Sequence, residues 1–252
     1  MDEKQAKTIK AVETSFEILE TLDTLEPVGV SQLATHLDMP ASTVFVHLNT
    51  LIHVGYVVKE GTEYRRSLRF LQTGGTIRSK TEAAQLLRKK IEDIAYHTGE
   101  IAGAAVEERG QRIILFRSTG RMAAGDEIPV GSHTHMHWTS LGKAILAYLP
   151  EEQITEIVNH HGLPRGTEKT LTSRDALLEE LESIRRQGYA MDNEEHLHGV
   201  RGIAVPILTT DQEVIGSIGI TGPRNRFEST YVADLINTLK YTKNEIEVRS
   251  QY

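Results

Sequence analysis

Three histidines, His133, His135 and His137, alternate with other residues near the middle of the chain. On a β-strand this spacing places all three imidazoles on one face, an arrangement typical of metal ligands. A metal-dependent enzyme is therefore one interpretation of the sequence. No acidic ligand follows at a fixed spacing, and Trp138 comes directly after the run, so the histidines could instead line the mouth of a pocket. A solvated or packed strand face is the third interpretation.

A second candidate for chemistry is the pair Glu194 and Glu195, which has the composition of an acid/base pair. Adjacent residues of a strand point to opposite faces, so two such carboxylates would not act on one substrate. The sequence therefore favours a surface or domain-contact role for this pair.

The composition excludes several other kinds of site. The 252 residues include no cysteine, which rules out disulfides, cysteine-ligated zinc, iron–sulfur clusters and thiol catalysis. With 39% hydrophobic and 25% charged residues, the chain has the profile of a soluble globular protein. No apolar run approaches the roughly 20 residues of a membrane helix, and the polar start lacks the apolar core of a signal peptide. We therefore expect a cytoplasmic protein with no membrane partner, and the length favours two domains.

The elements that must position any site begin with an amphipathic helix, predicted over residues 8–25. Its apolar stripe consists of Ile9, Val12, Phe16, Leu19 and Leu22. Ile18 and Leu25 lie off this stripe and give the helix a second apolar face. The second face predicts a homodimer through the N-terminal part of the chain, with a dimer of dimers through the C-terminal part as the larger alternative.

A helix-turn-helix pattern follows this first helix. Ser31 is predicted to cap a short helix, and Ser42 and Thr43 open a longer one that ends before Gly55, the expected C′ residue. The predicted buried stripe of the longer helix consists of Val44, Leu48, Leu51 and Ile52. Residues 56–66 have the composition of a β-hairpin. This order of elements is that of a winged helix-turn-helix.

The longer helix of such a motif places its N-terminal residues in the major groove of DNA. Hydroxyls and backbone N–H groups at its start suit phosphate, whereas His47 or Asn49 could reach base edges. The predicted DNA-binding residues are Ser31, Ser42, Thr43, Phe45, His47, Asn49, Arg65 and Arg66. An ordinary helical hairpin is the alternative, but it has no need of the basic wing that Arg65 and Arg66 would form with Arg69.

The charge of this segment limits how it could hold DNA. Residues 1–72 contain seven basic and ten acidic side chains, and the whole chain has a net charge of −7. Phosphate contact must then come from a few arginines and backbone N–H groups, with a modest dependence on salt.

Residues 68–97 have a helical pattern that is interrupted at Gly74 and Gly75, where we predict a connector. The predicted division is a winged helix-turn-helix domain at 1–72, a linker at 73–84 and a second domain at 85–252. In the second domain we predict strands at 101–106, 112–117, 200–208 and 214–221, and helices at 140–149, 151–160, 173–187 and from 229. Turn signals join the strand pairs, which predicts an α+β domain with a largely antiparallel sheet.

Two stretches of the chain carry a family resemblance. The first comprises the helix-turn-helix residues 33–51 with the hairpin that follows. The second comprises the motifs TSLGKA at 139–144, RRQGYA at 185–190, DNEEH at 192–196, GVRGIAVP at 199–206 and GITGP at 219–223. In this order they resemble the IclR family of transcriptional regulators over nearly the whole chain. The resemblance implies a helical linker, a GAF-like effector-binding domain, a dimer or dimer of dimers, and binding of double-stranded DNA at a near-palindromic operator.

The resemblance also implies which residues bind the effector. They are Ser140, Leu141, Asp192, Gly202, Gly219 and Thr221. Backbone N–H groups at the start of a helix favour a carboxylate, and Asp192 can accept from a ligand hydroxyl. At Gly202 many relatives carry cysteine, and two glycines would enlarge the pocket. Asp192 as a turn cap and Thr221 as a plain strand residue are the alternatives.

The expected effector is a small carboxylate with a hydroxyl, such as a sugar acid or a hydroxylated keto acid, or an aromatic acid if Trp138 turns inward. The expected function is ligand-responsive regulation of a catabolic operon, without enzymatic activity or a cofactor. Besides the metal-dependent enzyme, a DNA-binding protein with a non-sensing C-terminal domain remains an alternative.

Overall fold

The computed structural model describes residues 7–80, 84–123 and 128–249. The chain divides into two compact units, residues 1–79 and 80–252. The proposed linker bounds, 73–84, remain a prediction. Within the described part of the chain, no helix is long and apolar enough to cross a membrane.

The first unit is built from short helices and a small sheet. Its described elements are α1 (Lys10–Leu25), β1 (Val28–Gly29), α2 (Val30–His36), α3 (Ala41–His53), β2 (Val57–Glu60), β3 (Glu63–Arg66) and α4 (Arg69–Lys80). The predicted hairpin is the antiparallel pair β2–β3, and β1, which the sequence did not indicate, pairs with the other edge of β3. The winged helix-turn-helix prediction is confirmed.

Of two predicted helix ends, the glycine C-cap of α3 is confirmed and the serine N-cap of α2 is not. Gly55 has a φ of 84° and stands at C′ of α3, where its N–H donates to Ile52 O, while the N–H of Tyr56 donates to Leu51 O, both at 2.9 Å. Ser31 is not an N-cap, contrary to prediction. Helix α2 starts two residues earlier because β1 runs directly into it, so Gly29 takes the cap position without a side-chain bond.

The buried face of α1 includes only Leu19 and Leu22 of the predicted stripe, together with Ile18, one of the off-stripe residues on which the predicted homodimer is based. Ile18 is fully buried together with Leu22, whereas Ile9, Val12 and Phe16 are 69%, 51% and 59% exposed. The helix has two apolar faces, and the fold of the unit packs the one that includes Ile18. The prediction that Ile9, Val12 and Phe16 form the core face is therefore wrong, and these three residues remain exposed in the single chain.

Helix α4 runs without interruption through Gly74 and Gly75. The predicted break at these glycines is wrong because glycine lowers helix stability by only about 1 kcal/mol and does not remove a hydrogen-bond donor, as proline does.

The second unit is a three-layer α/β/α arrangement. Its described elements are α5 (Ala84–Thr98), β4 (Ile101–Glu108), β5 (Gln111–Thr119), β6 (His133–His135), α6 (Ser140–Leu146), α7 (Glu151–His161), α8 (Arg174–Gln187), β7 (Ala190–Asn193), β8 (Val200–Leu208), β9 (Val214–Pro223) and α9 (Ser229–Arg249). The strands form a sheet in the order β6-β5-β4-β9-β8-β7, and every neighbouring pair is antiparallel. The predicted α+β fold with an antiparallel sheet is confirmed, and β7 is a strand that the sequence analysis missed.

The two faces of this sheet carry separate apolar cores. Helices α5 and α9 cover one face with residues such as Ile91 and Leu239. Helices α6, α7 and α8 cover the other with residues such as Ile145 and Leu181. Alternation along each strand supplies both cores at once, because successive side chains point to opposite faces.

Helix α6 lies unusually close to the backbone around it. A Cβ atom added at Gly142 would stand 2.1 Å from the carbonyl oxygen of Met136, a distance that no side chain can occupy. The hydroxyl of Ser217 on β9 donates to the carbonyl oxygen of Leu141 at 2.9 Å, so the sheet and the helix are joined directly. Position 142 therefore requires glycine for space.

We expect Gly142→Ala to destabilise the second unit by on the order of 2 kcal/mol, because the methyl group displaces α6 from its seat. Gly74→Ala is the matched control: it lies in exposed α4 with open space around it and should leave stability unchanged or raise it by about 0.5–1 kcal/mol. Differential scanning calorimetry of both variants tests the constraint. Equal melting temperatures for Gly142→Ala and the wild type would contradict it.

Candidate functional site

A cavity of about 110 Å³ lies on the face of the sheet that α6 covers. Four residues of the predicted effector set line it: Ser140, Leu141, Asp192 and Thr221. Its remaining walls are largely apolar, with Ile101, Ile114, Ile128, Leu197 and Val200 among them. A mainly apolar chamber with a few polar groups is the usual form of a small-molecule site.

Strand register explains why these residues meet. Asp192 on β7 lies opposite Gly202 on β8, Gly202 lies opposite Thr221 on β9, and Thr221 lies opposite Ile101 on β4. Directly opposed residues of antiparallel strands share one face of the sheet. Three consecutive strands and β4, which is distant in sequence, thus build one row beside the cavity.

Gly202 and Gly219 do not enlarge the cavity, so that expectation is wrong. A Cβ atom at Gly202 would stand 2.7 Å from the Ser140 hydroxyl. At Gly219 it would stand 2.7 Å from the carbonyl oxygen of Ile203 and 3.0 Å from a methyl group of Leu141. Both spaces are already filled, and the glycines admit α6 rather than the ligand.

Asp192 caps a turn, as one of its two interpretations predicts, and its side chain also lies at the cavity. Its carboxylate accepts the backbone N–H of Glu195 at 2.8 Å, which caps the turn after β7, and it also lines the cavity. Burial, with the nearby Glu195 charge, raises the pKa of Asp192 to about 7. The group can therefore donate or accept a hydrogen bond near neutral pH.

Arg112 is a buried charged residue of the cavity that the predicted effector set does not include. It is 2% exposed, and burial lowers the pKa of its guanidinium to about 10, so the side chain is still charged at neutral pH. The signal was present in the sequence as a single charge that opens the apolar run 113–116 on a predicted strand.

Arg117 reaches the same cavity through a break in strand alternation. The pairing of β4 with β5 shifts between Ala104 and Ala105, which are opposite Phe116 and Ile114. This irregularity leaves Leu115 as an extra residue, so Arg117 lies on the face of Ile114 despite a separation of three. Simple alternation would have placed Arg117 on the opposite face.

The three alternating histidines do not share a strand face, contrary to the first interpretation. His133 and His135 belong to β6, whereas His137 is the middle residue of a short 3₁₀ helix, Met136–Trp138. The Nε2–H of His137 donates to Pro164 O at 3.0 Å. Burial lowers the pKa of His137 to about 4, so this imidazole is neutral. Among the described residues, no three histidine, aspartate or glutamate side chains are arranged to hold a metal ion. The geometry does not favour the metal-dependent enzyme.

The pocket-mouth interpretation is wrong for those histidines and for Trp138 as well. Neither the run nor Trp138 lines the cavity; instead, His196 does. The indole of Trp138 donates to Pro164 O at 2.8 Å and stacks on His196 with a centroid separation of 5.4 Å. Trp138 therefore supports the wall from behind.

The Glu194–Glu195 pair is not a surface feature. Both carboxylates are buried in the turn after β7, where Glu194 has a φ of 65°. Glu195 accepts two hydrogen bonds from the ammonium of Lys143 at 2.9 and 2.7 Å. Hydrogen bonds from Lys169 and from the N–H of Gly199 lower the pKa of Glu194 to about 2. The predicted surface role is wrong because both carboxylates are buried, where Lys143 and Lys169 supply their positive partners.

The exposed face of α3 carries much of the predicted DNA-binding set. Ser42, Phe45 and Asn49 are exposed, and Thr43 is half-buried beside them. Ser31 is exposed on α2. The predicted buried stripe is confirmed at Val44, Leu48 and Leu51.

His47 differs from the other residues of this face because it is held from within the unit. Its Nδ1 lies 2.9 Å from the hydroxyl of Ser15. That hydroxyl donates to Ala11 O at 2.9 Å, so the imidazole Nδ1–H must be the donor between the two. Nε2 is left as the ring atom that could contact DNA.

The wing arginines are paired with carboxylates of their own unit. The guanidinium of Arg65 donates to Glu60 at 2.8 Å. Arg66 bonds Glu26 through its backbone N–H at 2.6 Å and through its side chain at 3.1 Å, and it also contacts Asp23. Arg66 thereby ties β3 to the end of α1, so its contribution is at least partly structural.

Comparisons with known proteins agree with both units. Residues 76–248 match the family model described as "Bacterial transcriptional regulator IclR C-terminal", and residues 11–61 match the "IclR helix-turn-helix domain". A Halobacterium salinarum protein named "Probable HTH-type transcriptional regulator ArcR" is 30% identical over 252 residues, with 97% of this chain and 95% of that protein covered.

Two crystal structures share the fold. The IclR structure from Thermotoga maritima has a TM-score of 0.82 at 24% identity and covers 97% of this chain and 100% of its own. An IclR homologue from Microbacterium hydrocarbonoxydans, complexed with 4-hydroxybenzoate, has a TM-score of 0.80 at 22% identity and covers 96% and 99%.

The raised pKa of Asp192 predicts a pH-dependent stability. The folded protein holds the carboxyl proton of Asp192 more tightly than the unfolded chain does, where the pKa of this group is 3.8. Proton binding by Asp192 therefore stabilises the fold fully below about pH 4, and this stabilisation is lost as the pH rises to about 7. Asp192→Asn keeps an acceptor for the Glu195 N–H but cannot ionise. Its stability relative to the wild type should therefore increase by on the order of 2 kcal/mol between pH 5 and pH 8.

Thermal unfolding at the two pH values measures this difference, with Asp211→Asn in an exposed turn as the control. A difference that is the same at both pH values for Asp192→Asn would show that the carboxyl titrates normally.

Proposed function

Because the chain belongs to the IclR family of transcriptional regulators, we propose that it binds a near-palindromic operator. It regulates a catabolic operon in the cytoplasm, and its ligand is a small carboxylate. The observation that carries this proposal is the combination of the exposed face of α3 in one unit with a mainly apolar cavity that has a few polar groups in the other. A ligand can change the output only if it binds two states of the protein with different affinity.

The DNA-binding half of the proposal rests on the surface of α3. Its exposed hydroxyl, amide and aromatic side chains at Ser42, Asn49 and Phe45 suit phosphate, base edges and a thymine methyl, respectively. The paired wing arginines supply little free positive charge, which fits the acidic balance of residues 1–72. Specific contacts at the start of α3 must then carry a large share of the affinity.

The sensing half rests on the cavity. Ser140, Asp192 and Thr221 offer hydrogen bonds near one end, and Leu141 contributes an apolar wall. An apolar cavity of about 150 Å³ holds a benzene molecule, so about 110 Å³ suits a short-chain acid without expansion of the walls. The relative that was crystallised with 4-hydroxybenzoate is complexed with a hydroxylated acid, which supports a hydroxylated carboxylate as the ligand class here.

Assembly as a homodimer is supported by the exposed apolar residues of α1. Ile9, Val12 and Phe16 form a stripe that a single chain leaves in water. A second copy of the first unit would cover it and place two recognition helices for two half-sites.

The DNA-binding proposal predicts separate effects for two kinds of residue. Asn49→Ala should weaken binding to the operator about tenfold and change the preference among operator variants, because a base contact is lost. Arg65→Ala should weaken binding to operator and scrambled duplexes alike and reduce the salt slope by about 1. Glu60→Gln should strengthen both, because it releases Arg65 from its ion pair.

Fluorescence anisotropy at two salt concentrations gives these affinities, with Glu17→Gln on α1 as the control. The same titration in the presence of each of a panel of small carboxylates tests whether a ligand changes the operator affinity. Operator affinity that no carboxylate changes would favour the non-sensing alternative, and equal affinity for operator and scrambled DNA would reject the regulator.

The assembly proposal predicts that Phe16→Glu converts the protein to a monomer, since a buried carboxylate at a subunit interface lacks a partner. Light scattering after gel filtration measures the mass, with Glu17→Gln as the control on the same helix. A dimer that persists in Phe16→Glu at micromolar concentration would place the interface elsewhere.

A further inference from the structure

The buried guanidinium of Arg112 is incompletely partnered. Its Nη2 donates to the hydroxyl of Thr134 at 2.8 Å, whereas Nε is inaccessible to water and has no hydrogen-bond partner. No carboxylate within the described ranges forms an ion pair with it. A buried cation in this state is costly, because its charge has lost water and gained no counter-charge.

The acidic group that register places nearest to Arg112 does not serve it. Glu107 on β4 lies directly opposite Arg112 on β5. Its carboxylate instead accepts the backbone N–H of Gly110 at 2.6 Å and lies 3.4 Å from the amide nitrogen of Gln153. Glu107 therefore caps the β4–β5 turn and leaves the guanidinium uncompensated.

No other described side chain that lines the cavity forms an ion pair with Arg112. The pKa of His196 is lowered by burial and by the charge of Arg112, so this imidazole is neutral at physiological pH. Arg117 is a second guanidinium in the lining, and Asp192 lies on β7, which three strands separate from β5. The cavity thus offers buried positive charge inside a mostly apolar chamber.

We propose that Arg112 binds the carboxylate of the effector, so that the cavity selects small monocarboxylates over neutral molecules of the same shape. This inference rests on the proposed function of the cavity as the effector site. The anion would supply the counter-charge that the buried guanidinium lacks among the described residues. The carboxyl of Asp192 on another wall disfavours a second anionic group, and it suits a hydroxyl at the other end of the ligand.

Helix α6 is the weaker candidate for anion binding. It has seven residues, and the side chain of Thr139 already accepts the N–H of Gly142 at 3.1 Å. Its start can therefore orient a ligand through Ser140, but the full charge lies on Arg112.

The test compares matched acids and amides in the full chain. The probes are acetate and acetamide, lactate and lactamide, and 4-hydroxybenzoate and 4-hydroxybenzamide, each at constant ionic strength. The melting temperature of the wild type should rise with the acids and not with the amides. Arg112→Met should lose the response to acids, Arg112→Lys should keep part of it, and exposed Arg121→Gln should keep all of it.

A second measurement separates ligand binding from a structural role. Without a carboxylate in the buffer, Arg112→Met should melt at the same temperature as the wild type or higher, because it removes an uncompensated buried charge. A structural arginine would instead leave a less stable protein when it is replaced.

Four results would overturn the inference: equal responses to acids and amides, an acid response that persists in Arg112→Met, no acid response in the wild type, or a less stable Arg112→Met in buffer without a carboxylate. None of these results alters the DNA-binding assay, so a failure of the proposed regulator function, seen as loss of operator preference, is recognised separately.

Discussion

The close approach of α6 to the six-stranded sheet is the constraint on which the second unit depends. Gly142 leaves no space against Met136, and Gly202 and Gly219 leave none against Ser140 and Leu141. Side chains at these positions would push the helix away and open the chamber at its start to solvent. Because protein interiors are close-packed, the small residues determine where the cavity walls can stand.

Two buried cations of the second unit differ in their partners: Lys143 is paired with carboxylates, whereas Arg112 is not paired with any described carboxylate. Lys143 on α6 bonds Glu180 on α8 and Glu195 in the turn after β7, so three elements meet at one ammonium group. The hydroxyl of Thr170 donates to the backbone oxygen of Glu195 at 2.6 Å and fixes the same turn. These contacts hold the wall that carries Asp192. Arg112, in contrast, is buried without a carboxylate among the described residues, and that contrast distinguishes a structural ion pair from a site for an external anion.

In the first unit, the wing arginines form ion pairs that stabilise the unit itself, so they leave little free positive charge to attract DNA. Arg66 joins the wing to Glu26 and Asp23 at the end of α1, and Arg65 pairs with Glu60 within the hairpin. Arginines in such pairs position the wing, and each could bind a phosphate only by leaving its carboxylate. Recognition by this unit therefore depends on the orientation of α3 more than on net charge.

The fold class, the long helices and the long strands followed from the sequence alone, because apolar periodicity and turn residues are local signals, whereas the short strands β1 and β7 did not. The Gly55 C-cap, the hairpin and the long strands β8 and β9 were all predictable in this way. The four cavity residues Ser140, Leu141, Asp192 and Thr221 came from the family motifs. Tertiary structure alone decided which apolar face of α1 is buried, since both faces satisfy the helical period. It also decided that the glycines admit a helix rather than a ligand, and that a strand irregularity turns Arg117 to the cavity. Arg112 is the clearest case: its lone charge is visible in the sequence, but whether a carboxylate meets it depends on contacts between strands that no local pattern records.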